Sequence, residues 1–81
     1  MKRVLRFTAS WCGPCKMLAK NMETAAIEMP VEVVDIDVHG ELATEYGIRS
    51  VPTLVMLESN IEVKRITGVK TVNQLQEWVN E

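Results

Sequence analysis

Strand-like and helix-like segments alternate along these 81 residues, and that order restricts the fold more than any other feature of the chain. Residues 3–9, with Val4, Leu5 and Phe7, read as a first short strand. From Cys15 to Met29, the residues Leu18, Met22, Ala25 and Met29 recur at the three- and four-residue steps of one helical face. Pro14 suits the first turn of such a helix, and Pro30 bars its continuation. "VEVVDIDV" (31–38) is a β-branched run of the kind that forms a buried strand. A short helix over Glu41–Tyr46 follows, closed by Gly47, and "TLVMLE" (53–58) is a third strand. Ser59-Asn60 fits a hairpin turn in which Asn60 tolerates positive φ, so Glu62–Thr67 should return antiparallel until Gly68 breaks it. Thr71 and Gln74 have capping-box spacing ahead of a last helix, whose Val72, Leu75, Trp78 and Val79 share a face. The order β-α-β-α-β-β-α predicts an α/β fold with a mixed sheet covered by helices. The length, and the lack of any repeat, linker or low-complexity tract, predict one domain over residues 1–81.

Both cysteines of the chain lie in "WCGPC", residues 11–15. At a strand-to-helix junction, a three-residue offset puts Cys12 at the first turn of the helix and Cys15 one turn behind it. Free N–H groups and the positive end of the helix dipole favour a thiolate at Cys12, and the thiolate is the form that attacks a disulfide. Cys12 is therefore the expected nucleophile, with the more shielded Cys15 resolving the mixed disulfide. A structural zinc site is the competing use of such a pair. It wants four ligands, and His39 is the only other Cys or His in the chain. A four-cysteine site within one chain is excluded by arithmetic; one bridging two copies is not.

The net charge of −2, with no polybasic stretch, gives no reason to expect nucleic acid or an anionic membrane as a partner. No run of about 18 apolar residues is present to span a bilayer. Arg6 interrupts the apolar stretch behind the basic start, so no secretory signal is expected and the chain is placed in the cytoplasm. Paired cysteines in that compartment serve redox or metal chemistry more often than structure.

"ASWCGPC" (9–15), with "YGIRSVPTL" (46–54) about thirty residues later, resembles the thioredoxin family, and the resemblance runs from Arg3 to Val79. It implies a minimal thioredoxin-like fold with a four-stranded sheet. It also implies a small thiol–disulfide oxidoreductase that reduces protein disulfides. By position, Cys12 becomes the exposed attacking thiol and Cys15 the resolving one. Trp11 becomes the aromatic beside the site, and Gly13 and Pro14 the residues that set the redox poise. Pro52 matches the family's cis-proline facing the disulfide, which leaves the Val51 backbone free to pair with substrate like an added strand. Gly68 matches a glycine that keeps the substrate groove open. No metal or organic cofactor is implied. The Cys12–Cys15 pair carries both electrons and is re-reduced by an external donor, NADPH through a thioredoxin reductase. The implied partners are disulfide-containing proteins and that reductase, and the implied state is a monomer. A glutaredoxin-like enzyme recycled by glutathione and a non-catalytic binding module of the same shape are the alternatives.

The chain departs from the family pattern in two respects. Members of usual length have a further strand and helix before the first strand seen here, so this sequence reads as a shortened version of the fold. The buried aspartate six residues before the first cysteine is replaced by Arg6, and its usual lysine partner by Val33. An arginine keeps its proton and cannot serve as a base. Arg6 either favours a thiolate at the cysteines or pairs with Asp35 or Asp37. Lys16, next to Cys15, adds a positive charge in either case. Trp78 is expected in the core, Met17 near the site, His39 in a solvated loop, and Asp35 and Asp37 as solvated residues at a strand end.

Overall fold

The computed structural model describes residues 1–81, which form seven elements in the order β-α-β-α-β-β-α. They are β1 (Lys2–Thr8), α1 (Gly13–Ala25), β2 (Val31–Asp35), α2 (Gly40–Glu45), β3 (Thr53–Glu58), β4 (Ile61–Thr67) and α3 (Val72–Asn80). The sheet order is β2-β1-β3-β4, with β1 and β2 parallel and the other pairs antiparallel. β1 and β3 are therefore central, and the first five residues of β3 are buried, as its unbroken apolar run requires. β4 is an edge strand whose Glu62, Lys64 and Arg65 keep it from pairing further.

Alternation along β1 splits the core into two layers. On one face Val4, Leu54 and Met56 pack against Leu18, Met22 and Ala25 of α1 and Leu75 and Trp78 of α3. On the other, Leu5, Phe7, Val34, Val55 and Leu57 meet Leu42, Tyr46 and Ile48 in and after α2. Trp78 is thus in the core, and Lys64 lies over its ring at 5.4 Å. Thr71 caps α3 by accepting from the Gln74 N–H, while the Gln74 side chain accepts from the Thr71 N–H. At the β3–β4 turn both Ser59 and Asn60 have positive φ (52° and 69°), the geometry that suits the right-handed twist of a hairpin. No helix is long and apolar enough to cross a membrane.

Three local expectations need correction. The first helix ends at Ala25, short of Met29. Ala26 turns into the left-handed region (φ 52°) and donates its N–H to the Glu23 carbonyl, so residues 27–30 lead out to β2. Ile27 and Met29 still pack against the α1/α3 layer, which is why the apolar period runs past the helix end. "VEVVDIDV" is not a buried strand. β2 pairs with β1 alone, only Val34 is buried, and Val31 and Val33 are exposed along the free edge. The strand also stops at Asp35, because its carboxylate accepts the Asp37 N–H at 2.9 Å and its carbonyl accepts from Val38 and His39, which together turn the chain away.

Candidate active site

The strand-to-helix junction after β1 places both sulfurs. Ala9 accepts the Cys12 N–H, which turns the chain, and Cys12 becomes the N-cap of α1 in an extended conformation. Gly13 and Pro14 then form the first turn of the helix, where a missing N–H costs nothing. Cys12 and Cys15 are joined in a disulfide, their Cα atoms 5.3 Å apart. The Cys15 N–H donates to Cys12 Sγ at 3.1 Å, so the sulfur occupies the capping position a serine or aspartate oxygen often takes. The same donor and the helix dipole favour negative charge on Cys12 when the disulfide opens.

The walls of the site come from three loops. Ala9, Ile36 and Val51 pack around the two cysteines. Val51 and Pro52 are joined by a cis peptide bond, and the Val51 carbonyl oxygen lies 3.8 Å from Cys12 Sγ. The Pro52 carbonyl accepts the Gly68 N–H at 2.9 Å, with Gly68 at φ 91°, a conformation that favours glycine. Trp11 stands out beside the pair with 68 % of its surface exposed. Its Nε1–H donates to Asp37 Oδ2 at 2.9 Å.

Cys12 does not have the exposure expected of it. It is 4 % exposed and Cys15 1 %, because the disulfide turns both sulfurs into the layer formed by Ala9, Ile36 and Val51. Arg6 pairs with neither Asp35 nor Asp37: Asp37 is taken by Trp11, and Asp35 holds the turn after β2. Arg6 is half-buried on the α1-facing side of β1, in register with Val33. Its burial, with no partner to offset it, pushes the guanidinium pKa down from its ordinary value. Two shallow clefts meet at this side chain. One, of about 290 Å³, runs between α1 and the free edge of β2 past Met22, Glu23 and Val33. The other, of about 240 Å³, reaches Cys15 past Thr8, Lys16 and Asp35.

His39 precedes α2, makes no capping bond and lies 3.9 Å from the Glu41 carboxylate, far in role from the sulfurs. Met17 and Lys16 are exposed on the first turns of α1. The one residue of the site that sequence reasoning undervalued is Asp37. Its contact with Trp11 spans 26 residues, and nothing in the local pattern of β2 distinguishes it from a solvated acid.

A family model described as thioredoxin matches residues 1–81. Thioredoxin from Bacillus subtilis is 40 % identical over 79 residues, covering 93 % of this chain and 76 % of that protein. Thioredoxin C-3 from Corynebacterium nephridii is 37 % identical over 76 residues, covering 90 % of this chain and 52 % of that protein. The chain thus spans about half the length of one relative and about three quarters of the other. Among solved structures, a mutant thioredoxin from Halobacterium salinarum superposes with a TM-score of 0.89 at 33 % identity, covering 98 % of this chain and 72 % of that one.

Proposed function

The chain belongs to the thioredoxin family, and on that premise we propose that it reduces disulfides in other proteins by dithiol exchange through Cys12 and Cys15. One observation carries the assignment of roles. Cys12 Sγ, at the N-terminus of α1, receives the Cys15 N–H, so of the two sulfurs it has the better-stabilised thiolate. Cys12 attacks one sulfur of the substrate disulfide, and the other leaves as a thiolate that takes up a proton. Cys15, deprotonated, then attacks Cys12 Sγ and releases the second substrate thiol. Two electrons pass to the substrate, and the enzyme is left as the Cys12–Cys15 disulfide described above.

The surroundings suit a protein substrate. Trp11 offers an exposed apolar face, and Val51 sits beside Cys12 Sγ, where an extended peptide can add as a strand. Gly68 supports the floor of that groove through its bond to Pro52. Gly13 and Pro14 fix the turn that holds the sulfurs one helical step apart. The family's usual donor, NADPH through a thioredoxin reductase, returns the pair to the dithiol. Such a reductant works in a compartment that keeps thiols reduced, which favours the cytoplasm, and one compact chain is sufficient for the chemistry.

Reduction of insulin, followed by turbidity, tests this reading. Wild type should turn over with NADPH and a thioredoxin reductase, and not with glutathione alone. Cys15→Ser should accumulate a mixed disulfide through Cys12, and Cys12→Ser should form none. Failure of wild type to reduce insulin after chemical pre-reduction would overturn the proposal. Turnover with glutathione alone would replace the reductase with a glutathione-coupled cycle.

A further inference from the structure

The cleft that reaches Cys15 contains a cation held in no ion pair, although Asp35 lines the same cleft and Glu23 the neighbouring one. Arg6 makes no hydrogen bond through its guanidinium, and the ion pairs of the chain join Arg3 to Glu32, His39 to Glu41 and Arg65 to Glu62. The guanidinium is partly buried and bonded to neither carboxylate, which leaves it available to a negative charge that appears in the cleft it shares with Cys15. In the disulfide state the cysteines are neutral. In the mixed-disulfide state Cys12 is still neutral, and the charge must form on Cys15.

The two sulfurs differ in what stabilises them. Cys12 has the Cys15 N–H and the helix N-terminus. Cys15 lies inside the first turn and is almost wholly buried, and burial in apolar surroundings raises a thiol pKa. Away from Ile36 and Val51, Cys15 borders the cleft of about 240 Å³ that Arg6, Ala9 and Lys16 also line. Alternation along β1 puts Arg6 and Thr8 on the α1 side of the sheet, in the cleft that Cys15 also lines. The charged groups facing the guanidinium are Lys16 and Glu23 from α1 and Asp35 from β2, and β3 contributes only Leu54 in register.

We propose that Arg6 is a positioning residue for the second half of the exchange, acting as the counter-charge of the Cys15 thiolate rather than of Cys12. This rests on the oxidoreductase reading above and assigns Arg6 to one step of it. Cys15 gives its proton to solvent in the open cleft, and the thiolate that forms is held by the guanidinium. Its electron pair then forms the bond to Cys12 Sγ, and the Cys12–substrate bond breaks with its electrons going to the substrate sulfur, which takes up a proton. When the disulfide closes, Arg6 is again without an ion-pair partner, the condition found in this structure. Arg6 thereby favours the step that releases product.

A single-turnover experiment separates the steps. Reduced protein is mixed with a protein disulfide, quenched in acid, and the mixed disulfide is followed by mass spectrometry over a range of pH. In Arg6→Gln the mixed disulfide should resolve about tenfold more slowly at neutral pH, with the midpoint of its pH profile moved up. Formation of the mixed disulfide should keep its own midpoint, and Arg6→Lys should restore fast resolution. An unmoved resolution midpoint in Arg6→Gln overturns the proposal, and so does an equal shift in both steps. If reduced wild type leaves the protein disulfide unreduced and Cys15→Ser traps no mixed disulfide, the oxidoreductase reading falls and this proposal with it. A second measurement follows the thiol directly. In reduced protein with labelled cysteine Cβ, the Cys15 midpoint should move up from wild type to Arg6→Gln and return in Arg6→Lys. A Cys15 midpoint that is the same in wild type and Arg6→Gln contradicts the proposal.

Discussion

Asp37 and Trp11 show how one bond sets the shape of a reactive surface. The indole is largely exposed, and its Nε1–H bond to Asp37 is the contact that fixes its direction beside the sulfurs. Asp37→Ala should leave stability within about 1 kcal/mol, since one exposed hydrogen bond contributes little net. It should nevertheless free the ring, seen as faster local depolarisation of Trp11 fluorescence against a Trp78→Phe background, with slower attack on a protein disulfide. Unchanged depolarisation would mean that packing, not Asp37, holds the ring. Arg65 makes a different use of a carboxylate. It binds Glu62 and also donates to the Tyr46 carbonyl at 2.7 Å, tying β4 to the end of α2. The bond from Arg65 holds the Glu62 carboxyl below the usual carboxylate range. A depressed folded-state pKa contributes stability that is present above the unfolded value and is lost as pH falls through the folded one. The pair is partly exposed, so its worth is under about 1 kcal/mol. Glu62→Gln should therefore lower the melting temperature slightly at neutral pH and not at strongly acid pH. A difference that persists in acid would assign the effect to packing.

Among the elements, the ends were harder to read in the sequence than the elements themselves. The capping box of α3 was legible because both partners are local and three residues apart. Thr71→Ala should cost ~1 kcal/mol in chemical denaturation. Leu75→Ala, in the fully buried seam between α3 and the sheet, should cost about 2–5 kcal/mol. If the two losses came out equal, α3 would be held by its cap as much as by its packing. The end of α1 was not legible: no glycine marks it, the left-handed residue is Ala26, and Ile27 and Met29 extend the apolar pattern while serving the core from a loop. The character of β2 was misread for a related reason. A β-branched run has the same composition in a strand buried on both sides as in one whose Val31 and Val33 face outward at a free edge.

For the whole molecule, the order of elements foretold a mixed sheet, but not that the first strand lies at its centre. Which neighbours β1 takes is settled by long-range pairing with β2 and β3, which no local period encodes. The sulfur pair and the Val51-Pro52 turn could be named from the sequence because short motifs carry them. The surroundings of Arg6 could not, because they exist only where α1, β1 and β2 converge. The central proposal is that Cys12 and Cys15 form a reversible pair poised to give electrons to protein disulfides. The equilibrium reduction potential of that pair in defined thiol buffers tests it most directly. The expected result is an intramolecular disulfide in equilibrium with the dithiol, at a potential nearer the about −270 mV of thioredoxin-type reductants than the about −120 mV of strong dithiol oxidants. A potential near the oxidant value, or no intramolecular disulfide at any poise, would contradict it.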